Sequence, residues 1–379
     1  MRWFLFVVLI FSLVFPQVGF SKKNDFTLAR EKISKNFQKK ILFSKWSLTL
    51  KSGHPQKSYV PEESELLYHD GVLYVGTHGG YFYAVETKRG KILWRYKNDE
   101  PIATKPTVSG DKVFFTDLGC KVIALNLSDG SLVWTQNFDR EMLGRPLAVG
   151  GLILLLKDEQ EVIALSQESG ALVWNRFLRT YIPDMTMRGH SSLLVEGDRI
   201  YFGLADGQIY VLNPREGQIL WQKSLSVPLS SFKDIDEAFV ISGDSLYVAG
   251  YSGKMYRLNK SNGQILWSAS VKTGVRPLVF GELVIASDLS EGLVGFDKAT
   301  GKQMWSNELE GSVLSAPVLY QDTVFVSTVD GSAFLVDPNT GTSVQRLSVA
   351  PGAITSPVVA EDHLFLLSHS AKLLAFGPK

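Results

Sequence analysis

Six copies of the phrase Gly-x-x-x-Trp punctuate the chain: Gly90 to Trp94, Gly130 to Trp134, Gly170 to Trp174, Gly217 to Trp221, Gly263 to Trp267 and Gly301 to Trp305. The Trp-to-Trp steps are 40, 40, 47, 46 and 38 residues. A seventh copy, Gly341 to Gln345, follows 40 residues later with the Trp replaced. Such a period commits a chain to a solenoid, an array or a propeller, because one unit cannot bury its own faces without stacked neighbours.

Each repeat is written in strand language. In the fourth, Gly197-Asp198, Asp206-Gly207 and the turn from Asn213 to Gly217 bound three short runs rich in Ile, Val, Leu and Tyr. Asp-Gly between apolar runs favours a hairpin, since both turn positions accept positive φ. The same frame recurs at Thr77 to Gly80, Tyr251 to Gly253 and Val329 to Gly331. A further strand precedes each frame, opened by proline in cases such as Pro106 and Pro317. Four antiparallel strands in about 40 residues, with no helical period between them, predict the blade of a β-propeller.

Seven complete frames run from about residue 62 to 349, and residues 354–376 supply three strands more. The missing strand lies at the other end, where residues 42–50 carry an orphan Trp46. Pairing the two termini in one blade removes the exposed edges of an open stack. The expectation is an all-β, eight-bladed propeller of four-stranded antiparallel blades, closed by pairing an N-terminal strand with the C-terminal blade. Trp46, Trp94, Trp134, Trp174, Trp221, Trp267 and Trp305 are expected to pack between blades. An aromatic on the outermost strand that leans across to the next blade buries about 150–250 Å². Gln345 implies a junction that is weaker or filled differently.

Composition narrows the function. Thirty-nine basic against 38 acidic residues give a net charge of +1, which implies neither nucleic acid nor an anionic surface as a global partner. A single cysteine, Cys120, excludes an intramolecular disulfide framework and a Cys-rich zinc site. It stands where other repeats carry a turn glycine, the place for an inert thiol. Six scattered His residues form no helical i, i+4 pair, and neither a Walker-type phosphate loop nor a Gly-x-Ser-x-Gly elbow is present. No catalytic residue, metal site or cofactor is therefore expected.

Residues 1–21 read as a signal peptide: Arg2, an apolar run from Trp3 to Phe15, Pro16, and the small-x-small triplet Gly19-Phe20-Ser21. Cleavage after Ser21 is the expectation. The alternative is an uncleaved anchor, because the apolar stretch approaches the length that spans a bilayer. Residues 22–41 form a basic linker, with seven Lys and Arg against Asp25 and Glu31. It is either a solvated tether or an arm that touches anionic headgroups. Residues 42–379 are the propeller, one toroidal domain.

The repeat unit, with its Asp-Gly hairpin, its Leu-(Asp/Asn) turn and its Gly-x-x-(Leu/Val)-Trp close, resembles the pyrroloquinoline-quinone-type propeller repeat. Two groups share it: quinoprotein alcohol dehydrogenases and the BamB family, the propeller subunit of the outer-membrane β-barrel assembly machinery. The dehydrogenases are similar in repeat only, since many of them stack a vicinal disulfide on the quinone, which Cys120 alone cannot form. The BamB resemblance covers about residues 42–377 and extends to two inter-blade loops. Met185-Thr186-Met187-Arg188-Gly189 is similar to a family Leu-Thr-Leu-Arg-Gly segment, and Asp234-Ile235-Asp236 to Asp-Val-Asp. Both fall in the two longest intervals, of 47 and 46 residues.

The resemblance implies a non-enzymatic periplasmic scaffold that binds the POTRA domains of a BamA-like protein and assists insertion of unfolded barrel precursors. It implies Met185, Met187, Arg188, Asp234 and Asp236 as the partner-binding patch, and peripheral association with the inner face of the outer membrane through that partner. The expected state is a monomer within a complex. Family members are typically lipoproteins held by an N-terminal Cys, and this chain carries no Cys near its N-terminus. The alternatives are a ligand- or glycan-binding propeller that uses its central channel, and a quinone-dependent dehydrogenase.

Overall fold

The architecture follows from which strands bury both faces. In a computed structural model, the structure describes residues 41–52, 62, 64–158, 161–178, 192–225, 238–250, 253–309, 315–350, 352–353 and 355–379. The described strands form eight four-stranded antiparallel sheets. In chain order the blades are 67–97, 107–137, 142–177, 194–224, 238–270, 278–307, 318–348 and, for the eighth, 358–377 with 43–49. The two middle strands of each blade carry continuous apolar runs, such as Leu73-Tyr74-Val75 and Leu154-Leu155-Leu156, buried against neighbours on both sides. Outer strands such as Ile92–Lys97 alternate half-buried with exposed residues.

Eight apolar layers lie between consecutive blades and close the ring. Phe82 and Ala84 of blade 1 face Val113 and Phe115 of blade 2. Tyr83 and Val85, one residue out of phase, face Phe365 and Leu373 of blade 8. This is the two-residue period of a strand applied to a sheet with a neighbour on each side. A slip by one residue would exchange the two faces, so register is strongly specified. The layer between blades 7 and 8 is built the same way, with Phe325 and Leu335 against Leu364, Leu366 and Leu42.

Closure is by strand exchange between the termini. Phe43–Thr49 pairs antiparallel with Lys372–Gly377, from Phe43 opposite Gly377 to Thr49 opposite Lys372. The eighth blade therefore has the order 43–49, 372–377, 363–367, 358–360, and no turn joins its two outermost strands. The segment entering blade 1 is pinned over the same seam. Glu62 is fully buried, its N–H donates to His369 O at 3.0 Å, and its carboxylate accepts from His78 N–H at 3.0 and 3.2 Å.

Cys120 takes a hairpin position with φ 67°, where Gly80 and Gly207 have 71° and 79°. Burial pushes its thiol pKa up, and the carboxylates of Glu141, Asp117 and Asp139 add to the effect. The thiol is thus held protonated, the unreactive form.

Candidate functional site

Each outer-strand Trp meets the glycine of the following repeat. Trp46 lies on Gly90, Trp94 on Gly130, Trp134 on Gly170 and Trp174 on Gly217. Trp221 lies on Gly263, Trp267 on Gly301 and Trp305 on Gly341. A Cβ at any of these seven glycines would come within 2.8 Å of the indole ring. Each indole N–H also donates to a backbone carbonyl in the same turn of the next blade, at 2.8–3.3 Å. The glycine is needed twice over: its φ is positive (64° at Gly217), and its missing side chain admits the ring.

Blade 7 carries Gln345 at the Trp position because blade 8 has no turn there for a ring to cover. The buried amide instead binds the chain entering the N-terminal strand. Its Oε1 accepts from the N–H groups of Ile41 and Leu42 at 2.6 and 3.0 Å, and its Nε2 donates to Leu42 O at 2.8 Å. The eighth junction is filled differently, by hydrogen bonds in place of an aromatic plate.

The ring axis carries charge that sequence reasoning did not single out. In seven of the blades one residue at the inner edge stands at the channel. These positions are Glu65, Lys105 and Arg145 in blades 1 to 3 and Arg276 in blade 6, with Ser192, Ala316 and Ser356 in blades 4, 7 and 8. Together they line a constriction of about 60 Å³. Lys105 Nζ lies 2.8 Å from Glu65 Oε2. Burial pushes the Glu65 carboxyl up, but Lys105, reinforced by Arg276 and Arg145, wins and holds it below the ordinary carboxylate value. The available signal was the spacing, since Glu65, Lys105 and Arg145 recur at the 40-residue repeat.

The outer rim exposes apolar side chains. The residue before Trp is exposed in six blades: Leu93, Val133, Val173, Leu220, Leu266 and Met304. Leu172, Val173 and Phe177 share the outer strand of blade 3, and Phe177 is 69% exposed. Met185, Met187 and Arg188 fall in 179–191, and Asp234 and Asp236 in 226–237, all outside the described residues. The described strands on either side anchor these segments to consecutive blades: 179–191 joins blade 3 to blade 4, and 226–237 joins blade 4 to blade 5. Among the described residues, no cluster of His, Cys, Asp and Glu has the arrangement of a metal site.

The sheets and the Trp-on-glycine contacts define a closed, eight-bladed propeller built from the Gly-x-x-x-Trp repeat. The family model described as outer membrane protein assembly factor BamB matches residues 45–119, 107–288 and 252–379, and the chain belongs to that family. Outer membrane protein assembly factor BamB of Shewanella oneidensis is 24% identical over 308 residues, which are 79% of this chain and 67% of the relative. The protein of the same name from Kangiella koreensis is 26% identical over 197 residues, half the length of each. The crystal structure of BamB from Moraxella catarrhalis superposes with a TM-score of 0.79 at 20% identity, covering 89% of this chain and all of that one. A quinoprotein ethanol dehydrogenase of Pseudomonas aeruginosa is 36% identical, but over only 74 residues, 17% of this chain. A europium-containing methanol dehydrogenase shares the fold, with a TM-score of 0.74 at 15% identity.

Proposed function

We propose that the protein is a non-enzymatic assembly factor for outer-membrane β-barrel proteins, exported to the periplasm by residues 1–21 and working at the inner face of the outer membrane. The observation that carries this reading is the family match, which runs through all eight blades. Its direct partner is the POTRA region of a BamA-like protein. The patch is formed by Met185, Met187 and Arg188 from one inter-blade connection and Asp234 and Asp236 from the next. The anchoring supports this, because the two connections leave consecutive blades. Arg188 supplies a planar five-donor fork for a partner carboxylate or carbonyl, and the methionine thioethers adapt to an uneven surface.

Barrel precursors are the clients, and they dock in extended form on an outer blade edge. The outermost strand of a blade presents unpaired N–H and C=O groups, which an extended chain satisfies by adding a strand. Leu172, Val173 and Phe177 make blade 3 the best such edge, with apolar side chains beside the free backbone groups.

Affinity purification of the tagged chain from the envelope of its own bacterium tests the reading. Retention of the BamA-like protein is expected. Recovery of the intact chain without that protein would overturn it.

A further inference from the structure

We propose that the axial constriction is a binding site for one oxyanionic group, a carboxylate or a phosphate, held by Lys105, Arg145 and Arg276. The fold does not require charge at these positions. At the equivalent register, blades 4, 7 and 8 place Ser192, Ala316 and Ser356, and the blades close as well there as elsewhere. Three cations nevertheless converge on one carboxylate among the described lining residues. An oxyanion seated among these groups meets the Lys105, Arg145 and Arg276 side chains together, in a partly desolvated space where each attraction is stronger than in water.

Space and chemistry agree with that occupant. The constriction, about 60 Å³, exceeds the roughly 10–15 Å³ that one water needs. The small side chains of blades 7 and 8 leave this room open. Guanidinium forks pair with two oxygens of a carboxylate or phosphate, which selects an oxyanion over a spherical ion.

The channel widens beyond the constriction along the inner strands of blades 4 to 7. This vestibule, about 540 Å³, shares Arg276 with the constriction and is lined by Val195, Ile241, Val279 and Leu319, with Glu196 and Ser242 beside them. An anion therefore has two sources to distinguish. It is free in solution, or it is the charged end of a longer molecule whose apolar body fills the vestibule.

The test is titration of the full chain with inorganic phosphate, acetate and octanoate at constant ionic strength, read by calorimetry and by thermal shift. Saturable binding of at least one of them is expected. Affinity should fall at least tenfold in Arg276→Gln, an exposed position whose variant keeps the propeller intact by circular dichroism. Ser356→Glu, which adds a second carboxylate to the ring, should weaken binding to a similar degree. Octanoate binding more tightly than acetate would assign the vestibule to an apolar body, and equal affinity would assign the site to a free small anion. No saturable binding of any of the three, or equal binding by wild type and Arg276→Gln, would overturn the proposal.

Discussion

Gln345 holds Leu42 by both of its backbone groups, accepting from its N–H at 3.0 Å and donating to its carbonyl at 2.8 Å. This amide closes the ring at the one blade whose outer strands no turn connects. Gln345→Ala should therefore leave buried backbone groups without partners, at a cost of about 1–3 kcal/mol. Gln345→Trp should not rescue it, because a ring there finds no glycine turn and displaces three hydrogen bonds. Urea unfolding of both variants checks this; a Gln345→Trp protein as stable as wild type would contradict it.

The Trp-on-glycine contact separates from the strain of the turn itself. Gly197 has φ 59° and nothing within 4 Å of where a Cβ would stand, whereas Gly217 has φ 64° with Trp174 in the way. Gly197→Ala should cost about 1–2 kcal/mol, the left-handed backbone penalty alone. Gly217→Ala should cost about 1–3 kcal/mol beyond that, for overpacking against the indole. Equal losses in the two variants, measured by denaturant unfolding, would show that the ring moves aside freely.

Trp134 tests the other partner of such a Trp-on-glycine contact. It is buried, and its indole N–H donates to Gln167 O at 3.0 Å. Trp134→Phe should cost less than Trp134→Ala, which removes a large buried aromatic at about 3–5 kcal/mol. A Trp134→Ala variant with unchanged unfolding midpoint would contradict the role of the contact.

Glu65 makes stability depend on pH with a definite sign. Its carboxyl pKa is depressed in the folded state. Its stabilisation is therefore complete above the unfolded value, about 4.3, and is lost as pH falls through the lower folded value. Glu65→Gln should lower the melting temperature at neutral pH, and the difference from wild type should shrink as the pH is taken progressively below the unfolded value. A gap that stays constant across that range would mean the carboxylate contributes nothing through its charge.

The blade count and the ring closure were legible because turn glycines and outer-strand Trp residues repeat at one interval, and the orphan Trp46 marks the displaced strand. Two things were not. The partner of each Trp is a glycine about 40 residues further on, a relation that becomes visible only when the blades stand side by side. Gln345 looked like a lost Trp, yet it is the residue that a junction without a turn requires. The axial charges were hidden for a different reason: each is one ordinary Lys, Arg or Glu in its own repeat, and only the ring symmetry gathers them. The proposed partner-binding residues Met185, Met187, Arg188, Asp234 and Asp236 rest on the family resemblance and on their place in the chain order between the strands of blades 3, 4 and 5.

The most direct test of the assembly role is a binding titration of the purified protein against the POTRA domains of its own bacterium's BamA-like protein. Wild type should be compared with Arg188→Glu, both shown to be folded by circular dichroism. The account predicts saturable binding by wild type and a loss of more than about 2 kcal/mol in the variant, as for a central interface residue. Folded wild type that does not bind, or Arg188→Glu that binds equally well, would contradict it.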